Sequence, residues 1–405
     1  MLVSLCALVC AVEVARAETP SASYSTWIVS GDRVTLRYAL PVAQAERLSG
    51  SDVPVLTVSK LGNYVLQHVA VQAAGHDCPA IDQGYDLGRV DPLQVGSGLY
   101  GFEIIFQCPS SPAAVTLVNH ALFDRVPAHV DFARIETDAS SSEQLFTASR
   151  ERLNIPESGP IAAAGSLLYA RLGLAHVLSG AERLAVLLAA LLLVRSQRDL
   201  GVLLAALLVG YTLAVLAQAT GLILPRVGLQ DAFVGFLIVL LAAARIVRDA
   251  RAPQTTAVAL GWPALLLSLA LLAFIVHAIQ AALLLLGAAF ISGSVLAMLI
   301  GSAPRRALAA HAWLLPASLF ALLDGFTLPA VLAPMHLAQR TEVQMVAAYD
   351  AGALLAASLV LGLGAGAVAL LRARRLIPLG ALLPDAAAAC CGALGTFWLL
   401  SRMHS

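Results

Sequence analysis

Two hydrophobic patterns divide the chain. From Glu18 to about residue 160, apolar and polar positions alternate, as at Val34, Leu36, Tyr38 and Leu40 and again at Tyr100, Phe102, Ile104 and Phe106. A period of two marks half-buried strands. Ser30-Gly31-Asp32, Lys60-Leu61-Gly62-Asn63 and Gly96-Ser97-Gly98 read as the turns between them. Together they predict an all-β, sandwich-like domain over 18–160. Ahead of it, residues 2–12 form a short apolar run followed by Ala15-Arg16-Ala17, the small-residue pattern a signal peptidase accepts, so 1–17 is read as a signal peptide. The domain is therefore expected outside the cytoplasm.

From 161 to 405 the pattern becomes a series of apolar stretches, each near the ~20 residues that cross a bilayer as a helix. The predicted spans, about eight of them, lie at 173–194, 201–224, 228–247, 256–275, 279–302, 307–333, 343–371 and 379–400. Residues 255–302 contain no Asp, Glu, Lys or Arg, and are too long for one span. Read as two, they leave Arg195, Arg198, Arg245, Arg248, Arg251, Arg305, Arg306, Arg372, Arg374 and Arg375 on the inner side, as the positive-inside rule requires. Pro263, Pro316 and Pro329 are expected to kink or break their helices, and Gly362, Gly364 and Gly366 to admit a close neighbour.

Composition narrows the function classes. Charged residues are 12% of the chain and hydrophobic ones 59%, which excludes a wholly soluble protein. The formal net charge is zero, without the basic footprint of a nucleic-acid binder. Lys60 is the sole lysine, so neither a phosphate loop nor a Schiff-base site is available. No His-Glu-x-x-His or Gly-x-Ser-x-Gly run occurs, and no enzyme activity is expected. An exported domain followed by a membrane bundle suits a bacterial inner membrane, with lipid as one partner and a periplasmic protein as a further one.

Cys6 and Cys10 fall in the signal peptide and Cys390 and Cys391 in an apolar helix, which leaves Cys78 and Cys108 in the exported domain. In an oxidising compartment these two are expected to form a disulfide. A metal site of His76, Asp77, Cys78 and Cys108 is the alternative. Ionisable residues inside spans are functional candidates because each needs a partner in lipid. They are His176, Glu182 and Arg183 in the first span, Asp231 in the third, Asp324 in the sixth and Asp350 in the seventh. Gly173, His176, Gly180 and Arg183 are expected on one face of a continuous helix.

The run Gly173-Leu-Ala-His176-Val-Leu-Ser-Gly180-Ala-Glu182-Arg183-Leu184 resembles the Gly-x-x-His-Ile-x-x-Gly-x-Asp-His-Leu signature of the HupE/UreJ family of hydrogenase and urease accessory membrane proteins. Val209-Gly210-Tyr211-Thr212-Leu213, Phe320-Ala-Leu-Leu-Asp324-Gly325-Phe326 and Tyr349-Asp350-Ala351-Gly352 are similar, in order, to later motifs of that family, and Tyr24-Ser-Thr-Trp27 to its longer members. The resemblance implies a nickel-type divalent-metal permease or metal-handling accessory protein, its path lined by His176, Glu182, Asp231, Asp324 and Asp350. The alternative is a non-transporting scaffold or assembly factor that binds a partner through its exported domain, favoured by the loss of three of the family's four motif histidines. Where the family has histidines this chain has Arg183 and Asp324, whose opposite charges suit an ion pair between spans; a Glu182–Arg183 pair is the competing arrangement.

Overall fold

The computed structural model describes residues 21–41, 58–84, 99–108, 114–127, 129–138, 140–156, 165–220, 227–249, 313–332, 339–373 and 382–402. The expected signal peptide, the stretch 255–302 and Pro263 lie outside these. The chain separates into two compact units, one formed by Glu18–Gly165 with Val331–Leu337, the other holding the helices from Ser166 onward.

The first unit is a mixed β domain. Its strands are β1 (Ala22–Ser30), β2 (Arg33–Pro41), β3 (Val69–Ala73), β4 (His76–Asp77), β5 (Ala80–Gly84), β6 (Leu99–Gln107), β7 (Ala114–Asn119), β8 (Val130–Thr137), β9 (Ser141–Thr147) and β10 (Arg152–Pro156), and helix α1 spans Val58–His68. One sheet has the order β5-β6-β2-β1-β8-β9 and the other β10-β7-β3-β4. Trp27, Leu36, Phe102 and Phe146 from the first sheet and Val71, Leu117 and Ile155 from the second share one core. The period-two pattern thus buries one face of each sheet against the other. Two features correct the all-β expectation. β1 and β8 run parallel, which a purely hairpin-built sandwich would not contain. Residues 60–63, read as a turn, lie inside α1, where Leu61 and Val65 recur four apart and are both buried. Tight turns use glycine where φ must be positive: Gly31 at φ 58° between β1 and β2, and Gly75 at φ 83° after Ala74 between β3 and β4.

Cys78 and Cys108 form a disulfide, their Cα atoms 4.6 Å apart. Cys78 N donates to Val71 O in β3, and Cys108 N donates to Asp32 O in the β1–β2 turn. The bond therefore ties one sheet to the other.

The second unit is helical: α2 (Ser166–Ser179), α3 (Ala181–Leu191), α4 (Gln197–Ala219), α5 (Val227–Asp249), α6 (Leu314–Gly325), α7 (Thr327–Leu332), α8 (Gln339–Ala373) and α9 (Leu382–Arg402). Among the described residues three helical stretches are long and apolar enough to cross a membrane, Gln197–Ala219, Leu314–Leu332 and Gln339–Leu370. The α2–α3 pair makes a fourth if it acts as one bent span. Among the described residues the count is thus three or four rather than eight, and the expected spans at 256–275 and 279–302 lie outside them. The apolar described parts of α5 and α9, Ala232–Arg245 and Ala386–Ser401, are shorter than a full crossing.

Proline and glycine follow expectation only in part. Pro316 sits in the first turn of α6, where a missing N–H costs nothing. Pro329 falls four residues after Gly325, where α6 ends before α7 begins, so the break expected of it is present. A Cβ on Gly362 or Gly366 would meet nothing within 4 Å, but one on Gly364 would lie 2.6 Å from the Leu191 side chain, the close neighbour expected there. Backbones also approach closely: a Cβ on Gly173 would overlap the Tyr349 carbonyl, and one on Gly352 the Ala170 carbonyl, so α2 and α8 cross backbone to backbone. Gly210 of α4 stands in the same relation to Ser318 of α6, and Gly235 of α5 to Gly395 of α9.

Replacing Cys78 and Cys108 together by alanine frees a loop spanning a sequence separation of 30. That loop length predicts a loss of ~3–4 kcal/mol. Urea unfolding of the purified chain, followed by protease resistance of the β domain, should show the loss in the variant and in reduced wild type alike.

Candidate functional site

The helical unit buries a charged cluster drawn from five helices. Arg183 Nε donates to Asp324 Oδ1 at 2.7 Å, and the Tyr211 hydroxyl donates to Asp324 Oδ2 at 2.9 Å. The Asp324 side chain is 1% exposed and that of Arg183 13%. Opposite charge and two donors together offset much of the cost of holding a carboxylate away from water. His176 Nε2 lies 3.4 Å from the same Oδ1, without hydrogen-bond geometry, and its ring rests against that of Tyr349 at 5.5 Å between centroids.

Local sequence explains how Arg183 reaches Asp324. α2 and α3 are not one continuous helix; they bend by 73° at Gly180. Gly180 N still bonds His176 O at 3.2 Å, and its backbone is extended at φ −87° and ψ 108°. A Cβ there would lie 2.7 Å from the Arg183 guanidinium, so glycine leaves the space into which arginine folds back. His176 and Arg183 thus meet one carboxylate from two different helices rather than from a single helical face.

Asp350 of α8 is the unusual member. It is 3% exposed, and among the described residues neither of its carboxyl oxygens has a hydrogen-bond partner. Its Oδ2 would be 3.0 Å from a Cβ on Gly325, the residue after Asp324, so the two carboxyls are near neighbours. Glu182 lies half-buried in the first turn of α3, where its charge suits the positive helix end. Asp231 falls in α5, but its side chain is outside the described residues.

These positions correct the metal reading. Among the described residues no group of three or more His, Cys, Asp or Glu side chains could hold a metal ion. His176 and Asp324 share their space with the Arg183 cation, which cannot ligate and repels one. The His76, Asp77, Cys78, Cys108 alternative is closed as well, since both thiols are consumed in the disulfide. No family model matches the chain, and no curated protein matches it either. The HupE/UreJ resemblance, the nickel permease and the metal-handling accessory role it implied therefore lack support. The scaffold alternative drew on the same resemblance and has no observation of its own.

A second buried polar group, in the β domain, was missed in the sequence. Asp131 of β8 is 0% exposed and accepts from Ser23 Oγ at 2.7 Å, Ser25 Oγ at 2.6 Å and Asn119 Nδ2 at 2.9 Å. Ser23 Oγ also contacts the Tyr38 hydroxyl at 2.8 Å and His129 Nε2 at 2.9 Å, while His129 Nδ1 contacts Ser21 Oγ at 2.6 Å. Burial pushes Asp131 up to about 6, and its three donors hold it from rising further. Burial pushes His129 down to about 3. The available signal was the spacing Ser21, Ser23, Ser25, Trp27, which puts serines on the same strand face as a buried tryptophan.

Two predictions follow from these geometries. Arg183→Gln leaves Asp324 buried without its cation and should cost ~3–5 kcal/mol, read as lost folded protein in membranes. Arg183→Asp combined with Asp324→Arg should restore part of that yield, whereas equal loss in the double variant counts against the pair as a structural unit. In the β domain, the His129 contribution is full above 6.5 and is lost as pH falls toward 3. The Asp131 contribution is full below 3.8 and is lost as pH rises through about 6. The two slopes oppose and cancel between them. Asp131→Asn should expose the first, stability rising with pH by ~1.4 kcal/mol per unit, and His129→Gln the second, falling with pH at the same rate. Urea midpoints measured across this range check both signs.

Proposed function

We propose that the helical region moves protons through the membrane, with Asp350 as the group that takes them up and releases them. One observation carries this reading: a buried carboxyl on a membrane-spanning helix with both oxygens unpartnered. Such a group is tolerable when it holds a proton and costs several kcal/mol when it does not, and intramembrane carboxylates of this kind serve as proton relays. The neighbouring charges support it. Arg183 and Asp324 cancel, with Tyr211 completing the shell of Asp324. The cluster is thus neutral with a proton on Asp350 and negative without one. An ionised Asp350 is repelled by the neighbouring Asp324 carboxylate, which links proton release to the carboxylate that Arg183 holds. The work is proton binding and transfer rather than a covalent reaction.

For location, we propose a bacterial inner membrane with the β domain on the outer side. The disulfide supports an oxidising compartment for that domain. Exposed Arg195, between α3 and α4, and exposed Arg198, in the first turn of α4, support a cytoplasmic position for that loop.

The test is proton flux into vesicles reconstituted with the full chain and loaded with a pH-sensitive dye, under an imposed gradient. Wild type should collapse the gradient faster than empty vesicles, and Asp350→Asn should slow it roughly tenfold or more. Arg195→Gln, remote from the cluster, should leave it unchanged. Equal flux in wild type and Asp350→Asn, at equal incorporation, overturns the proposal.

A further inference from the structure

The hydrogen-bond directions in the β domain follow from the donors available. Asp131 Oδ1 accepts from Ser23 Oγ, and Ser23 accepts from Tyr38. The hydroxyl proton of Ser23 is then used, so His129 Nε2 must carry a hydrogen and donate to it. A buried neutral imidazole leaves Nδ1 bare, to accept from Ser21 Oγ. On the other carboxyl oxygen, Ser25 donates while accepting from Trp27 Nε1, and Asn119 donates its amide. Every group is satisfied.

A second arrangement satisfies every group equally well, with one more proton in it. Asn119 cannot accept through its amide nitrogen, and among the described residues Ser25 Oγ has no hydrogen-bond acceptor besides Asp131 Oδ2. The added proton therefore resides on Oδ1. Asp131 then donates to Ser23, Ser23 donates to His129 Nε2, and His129 donates from Nδ1 to Ser21. Tyr38 and Trp27 keep their bonds. From the elements packed around this carboxyl, the titratable neighbours are His129 ahead of β8 and Tyr38 of β2, with Tyr64 of α1 acting on Tyr38. Asn119 at the end of β7 is neutral, Phe146 pairs with Asp131 from β9, and among the described residues no Arg or Lys bonds to it.

We infer that Ser21, His129 and Ser23 form a proton wire that loads and unloads Asp131 inside the closed core of the β domain. Loading is a relay. An incoming proton bonds to Ser21 Oγ as the Ser21 hydroxyl proton passes to His129 Nδ1. The Nε2 proton passes to Ser23 Oγ, and the Ser23 proton passes to Asp131 Oδ1. Three O–H or N–H bonds break and four form, counting the incoming one, and the net change is a neutral Asp131 and a switched histidine tautomer. Unloading runs in reverse. Asp131 is held up to about 6, so the exchange falls in a range an extracytoplasmic compartment meets. His129 stays neutral throughout because burial opposes its charge.

The test is nitrogen NMR of the full chain labelled at histidine, with the His129 signals identified by their loss in His129→Gln. As pH falls through about 6, the proton-bearing nitrogen should change from Nε2 to Nδ1 without double protonation. Ser23→Ala should abolish the switch while the Asp131 carboxyl, followed by its infrared band, still titrates. Asp131→Asn should also abolish it. A wild-type His129 that keeps one tautomer while Asp131 titrates, or that becomes doubly protonated, overturns the wire, and neither result depends on Ser23→Ala or Asp131→Asn folding.

Discussion

A carboxylate cannot stay charged in a bilayer interior without a partner, and the arrangement of the helical unit follows from how Asp324 is given one. The cation comes from Arg183, which belongs to the half-helix beyond Gly180 and turns back over the glycine to arrive. Tyr211 approaches from α4, which lies against α6 closely enough that Gly210 has no room for a side chain. His176 and Tyr349 meet where α2 and α8 cross at Gly173 and Gly352. Helix breaks, glycine crossings and the charged cluster are therefore one design: backbones come close where the polar groups must converge, and the apolar core around Trp313, Phe320 and Leu237 excludes water from them.

The β domain meets the same constraint by another route. Asp131 has no cation and is held by two hydroxyls and an amide, a solution that neutral donors support in a water-shielded core. Charge pairing fixes Asp324 in one state. Neutral hydrogen bonds leave Asp131 with two states of similar quality. Buried carboxyls in one chain thus divide into a fixed one, a bridged one and, at Asp350, an unsupported one.

Much of the strand content was readable because alternation is local: Val34 to Leu40 states which face is buried with no knowledge of its neighbours. The parallel pairing of β1 with β8 was not, since Trp27 meets Ile135 across most of the domain's length and nothing at either place announces it. α1 was obscured by Gly62 and Asn63, which resemble a turn until Leu61 and Val65 are seen packing together. In the helical unit, apolar length located the long helices, but it did not reveal the bend at Gly180, because hydropathy is the same on both sides of it. Chemistry was harder to read than position. His176, Asp324 and Asp350 stood out as charges in apolar runs, and their ligand types suggested a metal even though the opposite charges of Arg183 and Asp324 already suited an ion pair; the geometry of Arg183 decided between the two. Tyr211, the second donor to Asp324, carried no charge to mark it.

The Cys78–Cys108 bond has a topological consequence. β5 and β6 lie wholly within the covalent ring it closes, and β6 is paired to β2 along its whole length. A protease that cuts the backbone between the two cysteines opens the ring without dividing the molecule. Both ends remain linked through sulfur and through the β2–β6 ladder, so such a cut passes unseen on a non-reducing gel. A single cut anywhere in the backbone between β5 and β6 accordingly leaves the fold it connects in one piece.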